Sequence, residues 1–111
     1  MKEEYEKTVT DTLSEIKRRV SALLGDRLDR IVLYGSRARG DYDKNSDIDV
    51  AIIVKDLDRE TKNLVLETVA EVELHYLTPV SALVMSEKSF HELLERERRI
   101  ALDIEREGVP L

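Results

Sequence analysis

Three short runs of apolar, mostly β-branched residues constrain the fold of this chain more than any other feature. They cover residues 31–34, 48–54 and 80–85. Each is typical of a buried strand and too short for an ordinary helix. Around them, apolar residues recur every three or four positions, as on one face of a helix. We therefore expect an α/β (α+β) protein with the element order α-β-β-α-β-α, in which helices flank one small mixed sheet.

Three helices are expected around these strands. The first covers residues 3–24, and a glycine then ends it. The second follows Asp58, a predicted N-cap, and ends before Pro79. The third follows Ser86, another predicted cap, and continues toward Ile104. No repeat or linker interrupts this order, so the pattern predicts one structural unit.

Length and composition narrow the class of protein. A chain of 111 residues with 41% hydrophobic content can bury one core and is too short for two ordinary domains, so residues 1–111 are expected to form a single domain. No apolar run approaches the ~20 residues of a membrane span. The acidic N-terminus also lacks the apolar stretch of a secretory signal. We therefore expect a cytoplasmic protein without membrane contact.

Charge and cysteine content exclude several functions. The chain has 24 acidic and 18 basic residues, for a formal net charge of -6. A negative surface argues against nonspecific binding of DNA or RNA, which depends on a basic patch that releases counterions. Because there is no cysteine, disulfides, thiolate zinc sites and cysteine nucleophiles are excluded.

The connection between the first two strands is polar and rich in glycine. It opens with the sequence GSRARG at residues 35–40. Gly35 would let the backbone turn sharply and leave room for a phosphate group, while Ser36 offers a hydroxyl beside backbone N–H donors. Arg37 and Arg39 could add charge-assisted hydrogen bonds to a triphosphate. The alternative is a solvated surface turn; a Walker A loop is excluded because the Gly-Lys-Ser/Thr ending is missing.

Two carboxylates begin the second strand. Asp47 and Asp49 are two residues apart and should project from one face, while Ile48 points into the core. Such a pair suits Mg²⁺ held together with substrate phosphates and water. Two ions could stabilise the attacking and leaving oxygens of a phosphoryl displacement. The alternative is a pair of exposed acids, but if the first two strands are neighbours, the carboxylates and the phosphate donors face one site.

A calcium loop is a further hypothesis for the same segment. Asp41, Asp43 and Asn45 occupy the first, third and fifth positions of an EF-hand-like loop. The sixth position is Ser46 instead of the required glycine, and the twelfth is Ile52 instead of a bidentate glutamate. The calcium hypothesis therefore fails.

The strings LYGSRARG at residues 33–40 and SDIDV at residues 46–50 resemble the signature of the polymerase-β nucleotidyltransferase superfamily. Within it, the chain is similar to the minimal nucleotidyltransferase (MNT) group, whose members have about this length. The resemblance implies a polymerase-β-like nucleotidyltransferase fold over nearly the whole chain.

The resemblance also implies an activity. Gly35 and Ser36 would contact the triphosphate of ATP, and the Asp47/Asp49 pair would be the catalytic metal ligands, with two Mg²⁺ ions. AMP would be transferred to a hydroxyl acceptor with release of pyrophosphate. The protein would contribute mainly positioning and electrostatic stabilisation.

The third predicted strand departs from the superfamily pattern. Active members usually carry a third acid there, but residues 80–85 contain none, and Ser81 stands where the carboxylate is expected. Glu71 and Glu73 are the nearest preceding acids and are predicted to lie on a helix. A catalytically silent module that neutralises a partner by contact is therefore the alternative to an enzyme.

The partner is implied by the resemblance alone. Proteins of the MNT group are often paired with a small helical protein of the HEPN family, as the antitoxin of a toxin–antitoxin system. We expect the same here, with a homo-oligomer as a further option. Residues 95–107 mix Arg and Glu with a few apolar positions, which predicts a solvated amphipathic helix and a surface to test for partner or dimer contact.

Overall fold

The computed structural model describes residues 2–111, with side chains from residue 4 onward. The elements, in chain order, are α1 (Lys2–Leu24), a 3₁₀ turn (Gly25–Arg27), β1 (Leu28–Tyr34), α2 (Ser36–Arg39), β2 (Ile48–Val54), α3 (Arg59–Tyr76), β3 (Val80–Ser86), α4 (Glu87–Glu95), α5 (Arg99–Glu107) and β4 (Val109–Pro110). The predicted α/β class and the predicted order of the main elements are confirmed. Within the described chain, no helix has both the length and the apolar character that a membrane crossing requires.

The four strands form one mixed sheet in the order β3-β2-β1-β4. The first two strands are neighbours and pair antiparallel. β3 pairs parallel to β2 because α3 carries the chain back across the sheet between them. β4 adds two residues antiparallel to the other side of β1. Because the first two strands are neighbours, the glycine-rich connection and the paired acids face one site, as expected under that condition.

Both faces of the sheet are covered. Side chains alternate along β2, so Ile48, Val50, Ile52 and Val54 pack in one cluster with α1 and α3, while Ala51 and Ile53 pack on the other face beneath α4 and α5. All six of these side chains are fully buried. Asp49 belongs by alternation to the face under α4 and α5, at the point where that face opens to solvent.

The predicted helix ends are confirmed. α1 ends at Leu24, and Gly25 follows it with φ 54°. Asp58 caps α3, since its Oδ1 accepts the Thr61 N–H at 2.7 Å. Ser86 caps α4 in the same way, through the hydroxyl oxygen that accepts the N–H of the residue three positions later at 3.0 Å.

The predicted single C-terminal helix is wrong, because the chain breaks between α4 and α5. Glu97 has φ 54°, and the N–H groups of residues 96–98 bond back to the last turn of α4. A straight helix would separate Phe90 and Ile104 by ~21 Å. The break instead lets both side chains pack in one cluster with Val32. α5 is amphipathic, as predicted: Ala101 and Ile104 are buried in the core, while Arg99 and residues 105–107 are exposed.

The last residues form an edge strand that the sequence did not predict. Val109 and Pro110 pair with β1, and the Leu111 N–H bonds to a β1 carbonyl at 3.0 Å. Gly108 makes this turn possible, since a Cβ there would lie 2.2 Å from Val32 Cγ1. The end of α5 is thereby fixed beside the glycine-rich connection.

Candidate active site

Three neighbouring strands bring three polar side chains together at the end of the sheet where β2 begins; this end is called the edge below. Asp49 is the register partner of Tyr34 on β1 and of Ser81 on β3. Leu83 and Met85 alternate with Ser81 and pack under α4 and α5, which places Ser81 on the same face as Asp49. The position predicted from the resemblance for a third acid is therefore directly beside Asp49, and a serine occupies it.

Gly35 lies against the Asp49 carboxylate. Its φ and ψ are 75° and -155°, a region of backbone conformation open essentially to glycine alone. A Cβ at this position would lie 2.4 Å from Asp49 Oδ2. The glycine thus allows the backbone turn to touch the carboxylate, and α2 starts at the next residue, Ser36, whose side chain is half-buried. The first N–H groups of a helix have no intrahelical acceptor, so they are donors close to the carboxylate.

The electrostatics of this edge are unfavourable in the free protein. Burial raises the pKa of Asp49 above its ordinary value, and the negative charge of Asp47 raises it further. Burial likewise raises the pKa of Tyr34, with Asp49 as the second cause. Asp47 is exposed just before β2 begins. Two carboxylates and a phenol thus share a region where a cation would be stabilised.

Arg39 offsets part of this negative charge. It lies close enough to Asp49 to lower the pKa of that carboxyl, although burial and Asp47 outweigh this effect. Its own side chain is held by Asp41 at 3.2 Å and by Glu107, at the end of α5, at 3.4 Å. These two acids raise the pKa of Arg39. Sequence reasoning missed Glu107, because only the break before α5 and the glycine turn after it bring that residue near the connection.

Arg37 lies in a different environment from Arg39. It is buried, with 9% exposure, and its guanidinium lies between the rings of Tyr5 and Tyr42, 5.1 Å and 4.6 Å from their centres. It donates to the Tyr5 hydroxyl and, at 3.1 Å, to the Ser46 carbonyl. Its Nε has no partner among the described residues. Arg37 thus ties α1 to the residue before Asp47; contact with a triphosphate stays a prediction, and would require it to leave these partners.

Two of the residues considered for calcium have other partners: Asp41 pairs with Arg39, and Asp43 binds the backbone of its own loop. Asp43 Oδ1 accepts the Asn45 N–H at 2.8 Å, and the Ser46 hydroxyl accepts the Asp43 N–H at 3.0 Å. The Ser46 N–H bonds to the Asp43 carbonyl at 3.1 Å. These turns fix the loop from which Asp47 projects.

The carboxylates of this site suit Mg²⁺ only if a bound substrate supplies further ligands. Among the side chains of residues 4–111, no group of three or more His, Cys, Asp or Glu is placed to hold a metal ion by itself. Mg²⁺ is commonly bound by one or two carboxylates together with substrate phosphates, and the Asp47/Asp49 pair matches that pattern. The two acids of α3 that are nearest to β3 in sequence are engaged elsewhere: Glu71 pairs with Arg19, and Glu73 accepts the Val80 N–H at 2.6 Å.

Comparison with known proteins identifies the family. The family model described as "Nucleotidyltransferase domain" matches residues 13–106. Two proteins of Methanocaldococcus jannaschii are similar in sequence. One, "Putative protein adenylyltransferase MJ0141", is 36% identical over 77 residues, which are 68% of this chain and 78% of that protein. The other, "Putative protein adenylyltransferase MJ0604", is 33% identical over 87 residues, 78% and 79% of the two chains.

Solved structures share the fold. A crystal structure from Sulfolobus solfataricus, described as "a putative nucleotidyltransferase", superposes with a TM-score of 0.60 at 23% identity, over 95% of this chain and 82% of that one. A structure described as "the toxin-antitoxin with AMP-PNP" superposes with a TM-score of 0.55 at 20% identity, over 86% and 68%. At these identities the likeness establishes the fold alone.

Proposed function

The chain belongs to the nucleotidyltransferase domain family, and from this premise we propose that it transfers AMP from ATP to a hydroxyl group of a protein, with Mg²⁺ as cofactor. The observation that carries the proposal is the contact between Gly35 and Asp49, which brings the glycine turn against one of the paired carboxylates. The two relatives named as protein adenylyltransferases support a protein as the acceptor.

Each residue of the edge has a role in this proposal. The backbone at Gly35 and Ser36 binds phosphate oxygens, and Arg39, already near Asp49, adds positive charge toward the triphosphate. Asp47 and Asp49 would hold the two Mg²⁺ ions, which would supply positive charge to offset the negative charge that develops during the transfer. Because burial strengthens electrostatic interactions, the half-buried Asp49 is suited to hold its ligand firmly.

The proposed transfer is a single displacement at the α-phosphorus of ATP. A bond forms between the acceptor oxygen and the α-phosphorus, the bond from that phosphorus to the bridging oxygen breaks, and pyrophosphate leaves. The hydroxyl proton passes to water, because Ser81 provides no carboxylate base beside Asp49. We expect a slow enzyme for this reason, with positioning as its main contribution.

We propose a helical HEPN-family protein as the acceptor, with this chain as the antitoxin. The proposal follows the resemblance to the MNT group, and the neighbouring fold described as a toxin–antitoxin with AMP-PNP supports it.

A second function is favoured by one observation, the serine in register with Asp49. A protein without the third acid could retain nucleotide binding and neutralise its partner by contact alone. Retention of glycine at position 35, in a conformation that only glycine readily adopts and against Asp49, argues for the enzyme, because neutralisation by contact alone does not require it.

Labelled nucleotide distinguishes the two functions. The protein is incubated with α-labelled ATP and Mg²⁺, with and without the product of any adjacent gene that encodes a small helical protein, and label on protein is measured. The enzyme predicts label on the partner that is lost in Asp47→Asn and kept in Asp56→Asn. The control makes the same chemical change in the turn after β2, at a residue with φ 50° where asparagine is well tolerated. A partner complex that forms without label would overturn the enzyme proposal for that partner.

A further inference from the structure

The side of α3 that faces away from the core carries an apolar stripe. Leu66, Ala70, Leu74 and Leu77 follow one another at helical spacing, and all four are exposed. The exposed fractions reach 74% at Leu74 and 83% at Leu77. The core of α3 is formed instead by a separate set of residues, Thr61, Val65, Val69 and Val72. This outer leucine stripe therefore contributes little to the packing of the domain, although a surface helix normally has polar residues on that side.

Leu77 is an anomaly for a second reason. It follows α3 with φ 53° and ψ 39°, the left-handed conformation that helix ends usually assign to glycine or asparagine. A leucine is strained there and, at 83% exposure, gains little burial in return. Folding alone therefore does not explain its presence.

Acidic side chains flank the most exposed part of the stripe. Glu67 and Glu71 lie on one side of Leu74 and are exposed; Glu73 lies on the other side but is half-buried, and its carboxylate accepts the Val80 N–H, so the exposed negative charge is mainly that of Glu67 and Glu71. Glu71 keeps 64% of its side chain exposed although it pairs with Arg19. An apolar strip between acids is complementary to an apolar strip between bases.

The stripe ends at the same end of the sheet as the candidate active site, although α3 covers the opposite face of the sheet from Asp49. The turn after Leu77 is bonded to the start of β2, where the Ile48 N–H donates to the Pro79 carbonyl at 3.0 Å. Ile48 lies between the two carboxylates in sequence, and the strand that follows the turn carries Ser81 beside Asp49. A chain that binds along the stripe and continues past Leu77 would therefore reach the end of β2 that carries the two carboxylates.

We propose that the outer leucine stripe is the docking surface for an amphipathic helix of the acceptor protein, with Leu- or Ile-type side chains between Lys and Arg. This inference rests on the proposed function, because it assigns the stripe to presentation of the acceptor hydroxyl. Two copies of this chain fit less well, since antiparallel pairing of their stripes would bring Glu67 and Glu71 of each copy near the same acids of the other.

Two helical peptides with one leucine stripe, flanked either by Lys or by Glu, test the charge and apolar requirements. Fluorescence anisotropy with the whole protein should show the Lys-flanked peptide binding at least about tenfold more tightly at low salt, and Leu74→Ser should weaken it about tenfold. The matched control is Leu23→Ser, which removes a leucine of 42% exposure on α1 and should leave the affinity unchanged.

Leu77→Gly separates binding from folding. Glycine suits the left-handed conformation, so the melting temperature should rise while the affinity for the Lys-flanked peptide falls. Equal binding of both peptides would overturn the proposal, as would affinity that survives Leu74→Ser. Sedimentation that shows a dimer dissociated by Leu74→Ser would assign the stripe to a second copy instead.

The docking surface and the proposed function can fail separately. A peptide that does not bind, in a protein that still labels a partner from α-labelled ATP, would refute the surface and leave the transfer standing. A peptide that binds as expected, in a protein that labels no partner, would refute the transfer and leave the surface standing.

Discussion

Charged side chains stabilise the fold at one end of β2 and destabilise it at the other. Where β2 leads into α3, Arg27 donates to the carbonyls of Lys55 and Asp56, at 3.5 Å and 2.7 Å, and to the Thr61 hydroxyl at 3.3 Å. Asp58 caps the helix there, and its hydrogen bonds to Thr61 lower its pKa. These charges stabilise the fold itself.

At the start of β2 the charges oppose the fold. Burial and then Asp47 raise the pKa of Asp49, and only a glycine at position 35 allows the backbone to lie against that carboxylate. A segment with unfavourable electrostatics, in a strand that is otherwise well packed, is typical of a ligand site. The comparison teaches that one end of the strand is built for stability and the other for binding.

The largest expected effect comes from filling the space at Gly35. Gly35→Ala adds a Cβ 2.4 Å from Asp49 Oδ2 and forces a glycine-only conformation on alanine. Unfolding free energy should fall by about 2–3 kcal/mol, and nucleotide binding should be lost. Chemical denaturation checks the first expectation. Gly25→Ala is the control, because its φ is also positive but no atom lies within 4 Å of its Cβ position. An equal loss in both variants would refute a special role for the Asp49 contact.

The next effect concerns the stable end of β2. Arg27→Met removes the three side-chain hydrogen bonds that close the turn before α3, so the unfolding free energy should fall by about 1–2 kcal/mol. The comparison variant, Arg18→Met, removes an exposed ion pair with Glu15 and should change stability by less than about 0.5 kcal/mol. Nucleotide binding should survive in both; its loss in Arg27→Met would contradict the separation of the two ends.

At the binding end, removal of a charge should stabilise the free protein. Because Asp49 has a folded pKa above its ordinary value of 3.8, the folded state binds the proton more tightly than the unfolded state. Its favourable contribution is complete below 3.8 and is lost as the pH rises through the folded pKa. Asp49→Asn should therefore melt a few degrees higher than the wild type at neutral pH, and the difference should vanish in acid. If Asp49→Asn melts at a lower temperature than the wild type at neutral pH, the charge of Asp49 does not destabilise the start of β2.

The smallest expected effect is a change in the pKa of Tyr34. Since Asp49 is one cause of the raised pKa of Tyr34, this phenol should ionise at lower pH in Asp49→Asn. Absorbance of the ionised tyrosines, measured as the difference between proteins with and without Tyr34→Phe, isolates the group. An unchanged midpoint would mean that burial alone sets this pKa.

The sequence predicted the elements better than their pairing. Periodicity placed α1, β2 and α3, and cap chemistry placed Asp58 and Ser86, because these signals lie within a few residues of one another. The break at Glu97 and the short edge strand β4 were missed, since both depend on packing with β1, which is distant in sequence.

For the candidate site, too, the sequence predicted the local motifs but not the contacts between distant parts of the chain. The acids and the glycine turn were visible because each is a local motif, and neighbouring strands did bring Gly35 to Asp49. The different environments of Arg37 and Arg39 were not visible. One guanidinium is buried against Tyr5 and Tyr42 and the other reaches Glu107; Tyr5 and Glu107 lie on α1 and α5, far from the motif in sequence.

The most direct test of a binding end on β2 is the melting temperature of the protein with Mg²⁺ and ATP together and with each alone. The two ligands together should raise the melting temperature of the wild type and of Asp56→Asn, by an amount equivalent to about 2.7 kcal/mol at one hundred times the dissociation constant. In Asp47→Asn the rise should disappear. A rise of the same size in Asp47→Asn, or in the wild type without Mg²⁺, would contradict the assignment of the Asp47/Asp49 pair as the metal and nucleotide site.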